Sequence, residues 1–235
     1  MGAWLSIPDP FLAEILAHQG FDYLCVDTQH GLIGPDRMPD LVRAIGLRGV
    51  IPFVRVPSNN PADIMKALDA GARAVVVPLV NNQAEAQRAA EACRYPPTGT
   101  RSFGPIRARY SQGPSLDELN NVACIVQVET AAGMDNVEAI AATPGVDGIY
   151  IGPSDLALAY GESPSHPDCH KSMATRIERI RKVCADNNIA SGIHCIEGNM
   201  SARYRRAGFE LITVLVDSVH AARTASAELR LAREA

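Results

Sequence analysis

The chain has 235 residues, 47% of them hydrophobic and 20% charged, and its 22 basic and 26 acidic residues leave a formal charge of −4. A chain of this length buries a sizeable core without a disulfide or structural metal, and it reads as one domain over residues 1–235. Acids and bases are interspersed, which excludes a nucleic-acid groove or a polybasic membrane patch as its working face.

The first apolar run is AWL (3–5). PDPFLAEILAHQG (8–20) follows, with proline near its start and glycine past its last turn, the asymmetry of helix caps. YLCV (23–26) and IPFVRV (51–56) predict the next two strands, and NPADIMKALDAG (60–71) predicts a helix leading into AVVVPL (74–79). After a helix over 81–94 comes YPPTGTRSFGPIRARYSQGPS (95–115), an irregular stretch whose length marks a lid or binding loop. Strands ACIVQV (123–128), GIYI (148–151), IASGI (189–193) and LITVLV (211–216) then alternate with helices over 131–143, 170–188, 199–208 and 218–235. The runs from 74, 123 and 211 are continuous rather than alternating, as strands covered on both faces of a parallel sheet are. Eight strands with intervening helices predict an α/β fold, a (β/α)8 TIM barrel. A doubly wound sheet is the alternative; the missing G-x-G-x-x-G after any early strand counts against it.

The cysteines, Cys25, Cys93, Cys124, Cys169, Cys184 and Cys195, include no closely spaced pair and read as small buried hydrophobes of a reducing compartment. MGAWLSIPDP has neither the basic nor the apolar region of a secretory leader, and no apolar run approaches the ~20 residues of a membrane span. Cytoplasm is the expected location.

In a barrel, residues from distant strands converge at the C-terminal face, so strand ends can be read as one set. The second strand ends in Asp27, with Gln29 and His30 beyond; the third contains Arg55; the fifth supplies Gln127 and Glu129; the sixth runs into Gly152, Pro153, Ser154 and Asp155. Glu129 and Asp155 fall on neighbouring strand ends. Two adjacent carboxylates repel, and a divalent cation with oxygen ligands, magnesium or manganese, is the simplest remedy. A general-acid and general-base pair, as in glycosidases, is the alternative. Arg55, inside an apolar strand, either pairs with Asp27 or anchors a planar carboxylate or 2-oxo acid. Ser154 or Asp155 could cap a helix, while the free N–H groups near Gly152 and Ser154 could hold a substrate carboxylate. His30 is either a packing residue or, beside these groups, the best general acid or base present. Cation, guanidinium, amides and imidazole together describe enolate chemistry on a 2-oxo acid.

FDYLCVDTQHG (21–31), VRVP (54–57), ALDAGARAVVVP (67–78), YPPTGTRSFGP (95–105), VQVET (126–130) and GPSDLALAYG (152–161) resemble the metal-dependent hydroxyketoacid aldolases of the HpcH/HpaI family. The resemblance covers essentially the whole chain. It implies a (β/α)8 barrel, assembled as trimers or hexamers that exchange the last helix (218–235), and reversible cleavage of 4-hydroxy-2-oxo acids to pyruvate and an aldehyde. Glu129 and Asp155 match the ligands of a Mg2+, Mn2+ or Co2+ ion. Arg55 matches the arginine that binds the pyruvyl oxygens, and the amides around Gly152 and Ser154 match the carboxylate site, with Gln127 and Pro153 beside them. His30 matches the histidine of proton transfer, acting through a metal-bound water. Asp69 matches an aspartate that supports this histidine, with a subunit boundary as the place where they would meet, and Asp27 an acid that orients the network. Bottom-up, Asp69 is only a solvated helix residue.

Many members read D-x-E-H where this chain reads DTQH, so Gln29 replaces a carboxylate and alters the charge around His30. The only lysines, Lys66, Lys171 and Lys182, lie in helical stretches, so no Schiff base is expected at a strand end. Arg101, Arg107 and Arg109 of the long loop would meet either a distal substrate carboxylate or a neighbouring subunit. A sugar-acid aldolase, a malyl- or citryl-CoA lyase and a noncatalytic barrel scaffold are the rival functions.

Overall fold

Each of the eight apolar runs forms a strand: β1 (Gly2–Leu5), β2 (Tyr23–Asp27), β3 (Ile51–Arg55), β4 (Ala74–Val77), β5 (Ala123–Val128), β6 (Gly148–Ile151), β7 (Ala190–Ile193) and β8 (Leu211–Val216). They close in sequence order into a parallel barrel, β8 pairing back onto β1. The computed structural model describes residues 1–164 and 171–234, so Cys169, the first residue of the predicted 170–188 helix and Ala235 lie outside the described residues. The helices are α1 (Pro10–Ala17), α2 (Met38–Gly46), α3 (Pro61–Asp69), α4 (Gln83–Cys93), α5 (Ala108–Ser111), α6 (Leu116–Asn120), α7 (Ala131–Asp135), α8 (Val137–Ala141), α9 (Pro153–Ala159), α10 (Lys171–Asp186), α11 (Gly198–Arg206) and α12 (Asp217–Glu234). None of them is long and apolar enough to cross a membrane.

Side chains alternate across a strand, so each strand divides its residues between two cores. Leu24, Val26, Val54, Val75, Val77, Val126, Ile149 and Ile151 face outward into the layer covered by helices. Trp4, Tyr23, Cys25, Phe53, Val76, Ile125 and Tyr150 fill the barrel interior. There Trp4 stacks on Tyr150 at 5.3 Å and Tyr23 on Phe53 at 4.5 Å, while the Tyr150 hydroxyl bonds Thr213 Oγ1. Pairing places Asp27 opposite Arg55 and Gln127 opposite Tyr150, so the same alternation carries these polar residues inward one layer nearer the C-terminal end. Cys25, Cys93, Cys124, Cys184 and Cys195 are buried free thiols, as expected for small apolar side chains.

Three features depart from the sequence expectation. First, α2 lies between β2 and β3, where no helix was expected; Met38, Leu41, Val42 and Ile45 bury one face of it. Second, the 131–143 helix divides into α7 and α8 at Asn136, whose amide donates to Asn81 O and Ala132 O at 2.9 Å each. Third, the 95–115 segment does not close over its own barrel's C-terminal mouth. It follows a helix and precedes a strand, which puts it at the N-terminal end. Arg107 Nη1 donates to Ala70 O at 2.6 Å and Gln112 Nε2 to Ala72 O at 2.9 Å, both in the α3–β4 connection.

The last helix, α12, buries only its first residue, Asp217. That carboxylate accepts from the Ser6 N–H and hydroxyl and from the Ile7 N–H at 2.6 to 3.0 Å, tying β8 to the end of β1. Val219 packs against the barrel-interior cluster and Arg223 Nη1 donates to Ile196 O at 3.1 Å, while the helix is exposed from residue 221 to 234.

Candidate active site

Asp27 and Arg55 form a forked ion pair inside the barrel mouth. Arg55 Nε donates to Asp27 Oδ1 at 2.9 Å and Nη2 to Oδ2 at 2.6 Å. The pairing with Asp27 weighed for Arg55 is therefore present. It occupies one edge of the guanidinium and leaves Nη1 without a hydrogen-bond partner among the described residues. Trp4 supports the arginine from its ring face, 5.1 Å from Cζ. Burial alone would raise the Asp27 pKa, but the hydrogen bonds and charge of Arg55 hold it below the usual carboxylate range. The Gln29 and His30 N–H groups also donate to Asp27 Oδ1, at 3.0 and 3.2 Å, so Asp27 shapes the loop that carries the exposed His30 imidazole.

Glu129 follows the end of β5 and is buried. Leu79 N–H donates to its Oε1 at 3.0 Å and Gln127 Nε2 to its Oε2 at 2.6 Å. Leu79 adopts a left-handed backbone, φ 56°, uncommon for a residue with a branched side chain, and so points that N–H at the carboxylate. Burial, and then the negative charge of Asp155, push the Glu129 pKa up to about 7, against the Leu79 hydrogen bond, the Arg55 charge and the Gln127 amide. Gly152 is required here, because a Cβ on it would sit 2.4 Å from Glu129 Oε2.

Gly152, in an extended conformation, is the residue that precedes α9, so neither Ser154 nor Asp155 is the cap. Pro153 takes the first helical position, which places Ser154 and Asp155 in the exposed first turn with their N–H groups free of intrahelical partners. Ser154 Oγ donates to Pro164 O at 3.3 Å.

Two hard carboxylates on adjacent strand ends fit Mg2+ or Mn2+. Gln127 Oε1, buried and without a hydrogen-bond partner among the described residues, leaves an acceptor beside them for a bound water or ligand. No third His, Cys, Asp or Glu joins the pair among the described residues, so water and substrate would complete the shell, as in catalytic sites.

Asp69 is elsewhere. It ends α3 at the N-terminal end of the barrel and bonds Arg101 Nη2 at 2.7 Å, so within one chain it does not meet His30. Arg101 and Arg107 likewise have partners at that end, away from their own barrel's mouth.

Sequence reasoning missed His194. It follows β7, donates its N–H to Ile151 O at 3.1 Å, and sets its ring edge-on to Trp4 at 5.0 Å. Burial and the Arg55 charge push its pKa down to about 4 despite Asp27, so it is a neutral imidazole. The signal was available: it is the polar residue at the end of IASGI, one step beyond the strands whose ends were read.

A closed parallel barrel with paired acids and a forked arginine at its C-terminal mouth defines a TIM-barrel enzyme site. The sequence profile of the HpcH/HpaI aldolase/citrate lyase family matches residues 1–224, and the chain belongs to that family. It is 36% identical over 219 residues to a hydroxypyruvate/pyruvate aldolase of Rhizorhabdus wittichii, covering 92% of this chain and 87% of the relative. A 4-hydroxy-2-oxo-heptane-1,7-dioate aldolase of Klebsiella pneumoniae is 35% identical over 237 residues, with 97% of this chain and 87% of that protein covered. Among solved structures, a HpcH/HpaI aldolase/citrate lyase family protein from Burkholderia cenocepacia J2315 superposes with a TM-score of 0.90 at 36% identity, over 99% of this chain and 93% of that one.

Proposed function

We propose that the protein is a divalent-metal-dependent aldolase, a carbon–carbon lyase that cleaves 4-hydroxy-2-oxo acids reversibly to pyruvate and an aldehyde. The aldolase class itself follows from family membership and the relatives' activities. The closeness of Glu129 to both Asp155 and Arg55, near enough for each charge to act on its carboxyl, carries the rest.

Glu129 and Asp155 would hold Mg2+, Mn2+ or Co2+, and such an ion supplies Lewis-acid charge to the 2-oxo group when bound. Arg55, fixed by Asp27 and Trp4, offers Nη1 to the C2 oxygen, where negative charge develops as the C3–C4 bond breaks. The free N–H groups of Ser154 and Asp155 suit the substrate carboxylate. His30 moves protons: one leaves the 4-hydroxyl before cleavage, and one reaches C3 of the enolate afterwards. Gln127 holds Glu129 in place and presents its remaining oxygen. Asp69 would serve the His30 of a neighbouring subunit, since its own lies at the opposite end of the barrel.

Assembly as a trimer or hexamer with exchange of the 218–235 helix is supported by α12, which is exposed from residue 221 to 234 and carries exposed Leu229 and Leu231. A cytoplasmic location fits the free thiols.

The test is pyruvate release from 4-hydroxy-2-oxopentanoate and a longer dicarboxylic homologue, on chelator-stripped protein with and without Mg2+, Mn2+ or Co2+. Release restored by metal and lost in Glu129→Gln is the expected result. Full activity after chelation, or none with any metal, overturns the proposal; the latter outcome redirects the search to sugar-acid and acyl-CoA substrates.

A further inference from the structure

Arg101 is built at unusual cost for a residue of an irregular segment. It is 2% exposed, and its guanidinium lies 4.5 Å from the Tyr95 ring, which Phe103 approaches at 5.4 Å. Nη1 reaches Leu119 O at 3.4 Å, and Nη2 donates to Asp69 Oδ1 at 2.7 Å. A guanidinium removed from water is tolerated only when a counter-charge compensates it, and Asp69 is the sole carboxylate that pairs with Arg101 among the described residues. The dependence runs in both directions: an arginine clamped on a ring face cannot swing, so the carboxylate oxygen it holds cannot swing either. Asp69 is anchored through Oδ1 alone. Its Oδ2 has no hydrogen-bond partner among the described residues, and its side chain remains 19% exposed.

The surroundings of this carboxylate suit a second copy of the chain. At the same end of the barrel Phe103, Ile106 and Tyr110 are 60%, 80% and 86% exposed. At the opposite end Leu32, two residues from His30, is 82% exposed. An apolar patch at one end and a different exposed apolar residue at the other give the two unlike surfaces that a head-to-tail contact requires.

We infer that Arg101 is a positioning residue for the reaction: it immobilises one oxygen of Asp69 so that the other is presented across a subunit boundary to the His30 of the next copy. The inference rests on the proposed function's assignment of Asp69 to a neighbour's site. It takes Arg101 away from both roles considered for it, since it meets neither substrate nor neighbour directly.

Pairwise complementation separates the possibilities. Two differently tagged variants are co-expressed, mixed oligomers are isolated through both tags, and pyruvate release is measured. His30→Ala, Asp69→Asn and Arg101→Met are each expected to lose about 100-fold in turnover when homogeneous, the scale for a misplaced catalytic contact. Mixing His30→Ala with Asp69→Asn should restore activity at about a third of the sites in mixed trimers and about a quarter in larger head-to-tail rings. Mixing His30→Ala with Arg101→Met should restore the same share, whereas Asp69→Asn with Arg101→Met should restore nothing. Arg101→Lys keeps the charge without the fork; it should fall in the same group with intermediate turnover, and it replaces Arg101→Met if that variant fails to assemble. Failure of His30→Ala to complement Asp69→Asn overturns the cross-subunit assignment, and the inference with it. Complementation of that pair but not of His30→Ala with the Arg101 variants overturns the inference alone, as does near-normal turnover of homogeneous Arg101→Met.

Discussion

Gly152→Ala tests the construction of the site with a single methyl group. The added Cβ would lie 2.4 Å from Glu129 Oε2 and 2.7 Å from Gln127 Nε2. To reach ordinary contact the carboxylate must retreat by about 1 Å, a displacement that costs on the order of 100-fold in rate when it strikes a catalytic contact. The retreat has no easy direction, because Leu79 N–H holds Oε1 and Gln127 holds Oε2. Overpacking of this size costs about 1–3 kcal/mol, so the melting temperature should fall by about 2–12 °C while the fold survives. Affinity for Mn2+, followed by calorimetric titration, should drop about 10- to 100-fold, the range seen when a ligand loses its orienting partners. Pyruvate release at saturating Mn2+ should fall in parallel. Gly198→Ala, where an added Cβ meets nothing within 4 Å, serves as the silent control. Wild-type Mn2+ affinity and turnover in Gly152→Ala would refute the placement of Glu129 as a ligand held against that glycine.

Arg55→Ala should abolish measurable turnover and also lower the melting temperature by on the order of 10 °C, because it strands a buried carboxylate. Pairing it with Asp27→Leu should recover much of the stability and none of the activity. In metal-free protein Glu129 stays protonated to about pH 7, well above the range of an unfolded glutamate. The folded state therefore holds the extra proton between those values, and stability falls as pH rises through that window, by up to about 1.4 kcal/mol per pH unit. Thermal melts of chelated protein from pH 4.5 to 7.5 should show the slope, and Glu129→Gln should remove it. Asp217→Ala frees the Ser6 and Ile7 N–H groups and should detach α12, read as lost helicity and a smaller assembly in sedimentation.

Every strand was legible because continuous apolar runs such as AVVVPL and LITVLV have no other stable home than a sheet covered on both sides. The helix α2 was hidden by proline, glycine and charge between residues 33 and 46, although Pro39 sits in its first turn, where proline is tolerated. Within the site, Asp27, Arg55, Gln127 and Glu129 were found by one rule, that a polar residue ending an apolar strand points into the mouth. The same rule, carried one strand further, reaches His194. What could not be read was pairing at a distance. Nothing in the local pattern around Asp69 announces a partner 32 residues away in an irregular segment. Likewise the alternatives for Arg55 could be separated only when register set it opposite Asp27.

The chain contains one tryptophan, and it is Trp4, which stacks on the Tyr150 ring, lies under the Arg55 guanidinium and meets His194 in a T-shaped contact. The protein thus carries a built-in optical reporter at the mouth of its barrel. Its intrinsic emission is free of contributions from other indoles, and it should change whenever a ligand engages the arginine beside it. Occupancy of the site can be followed without a label and without turnover.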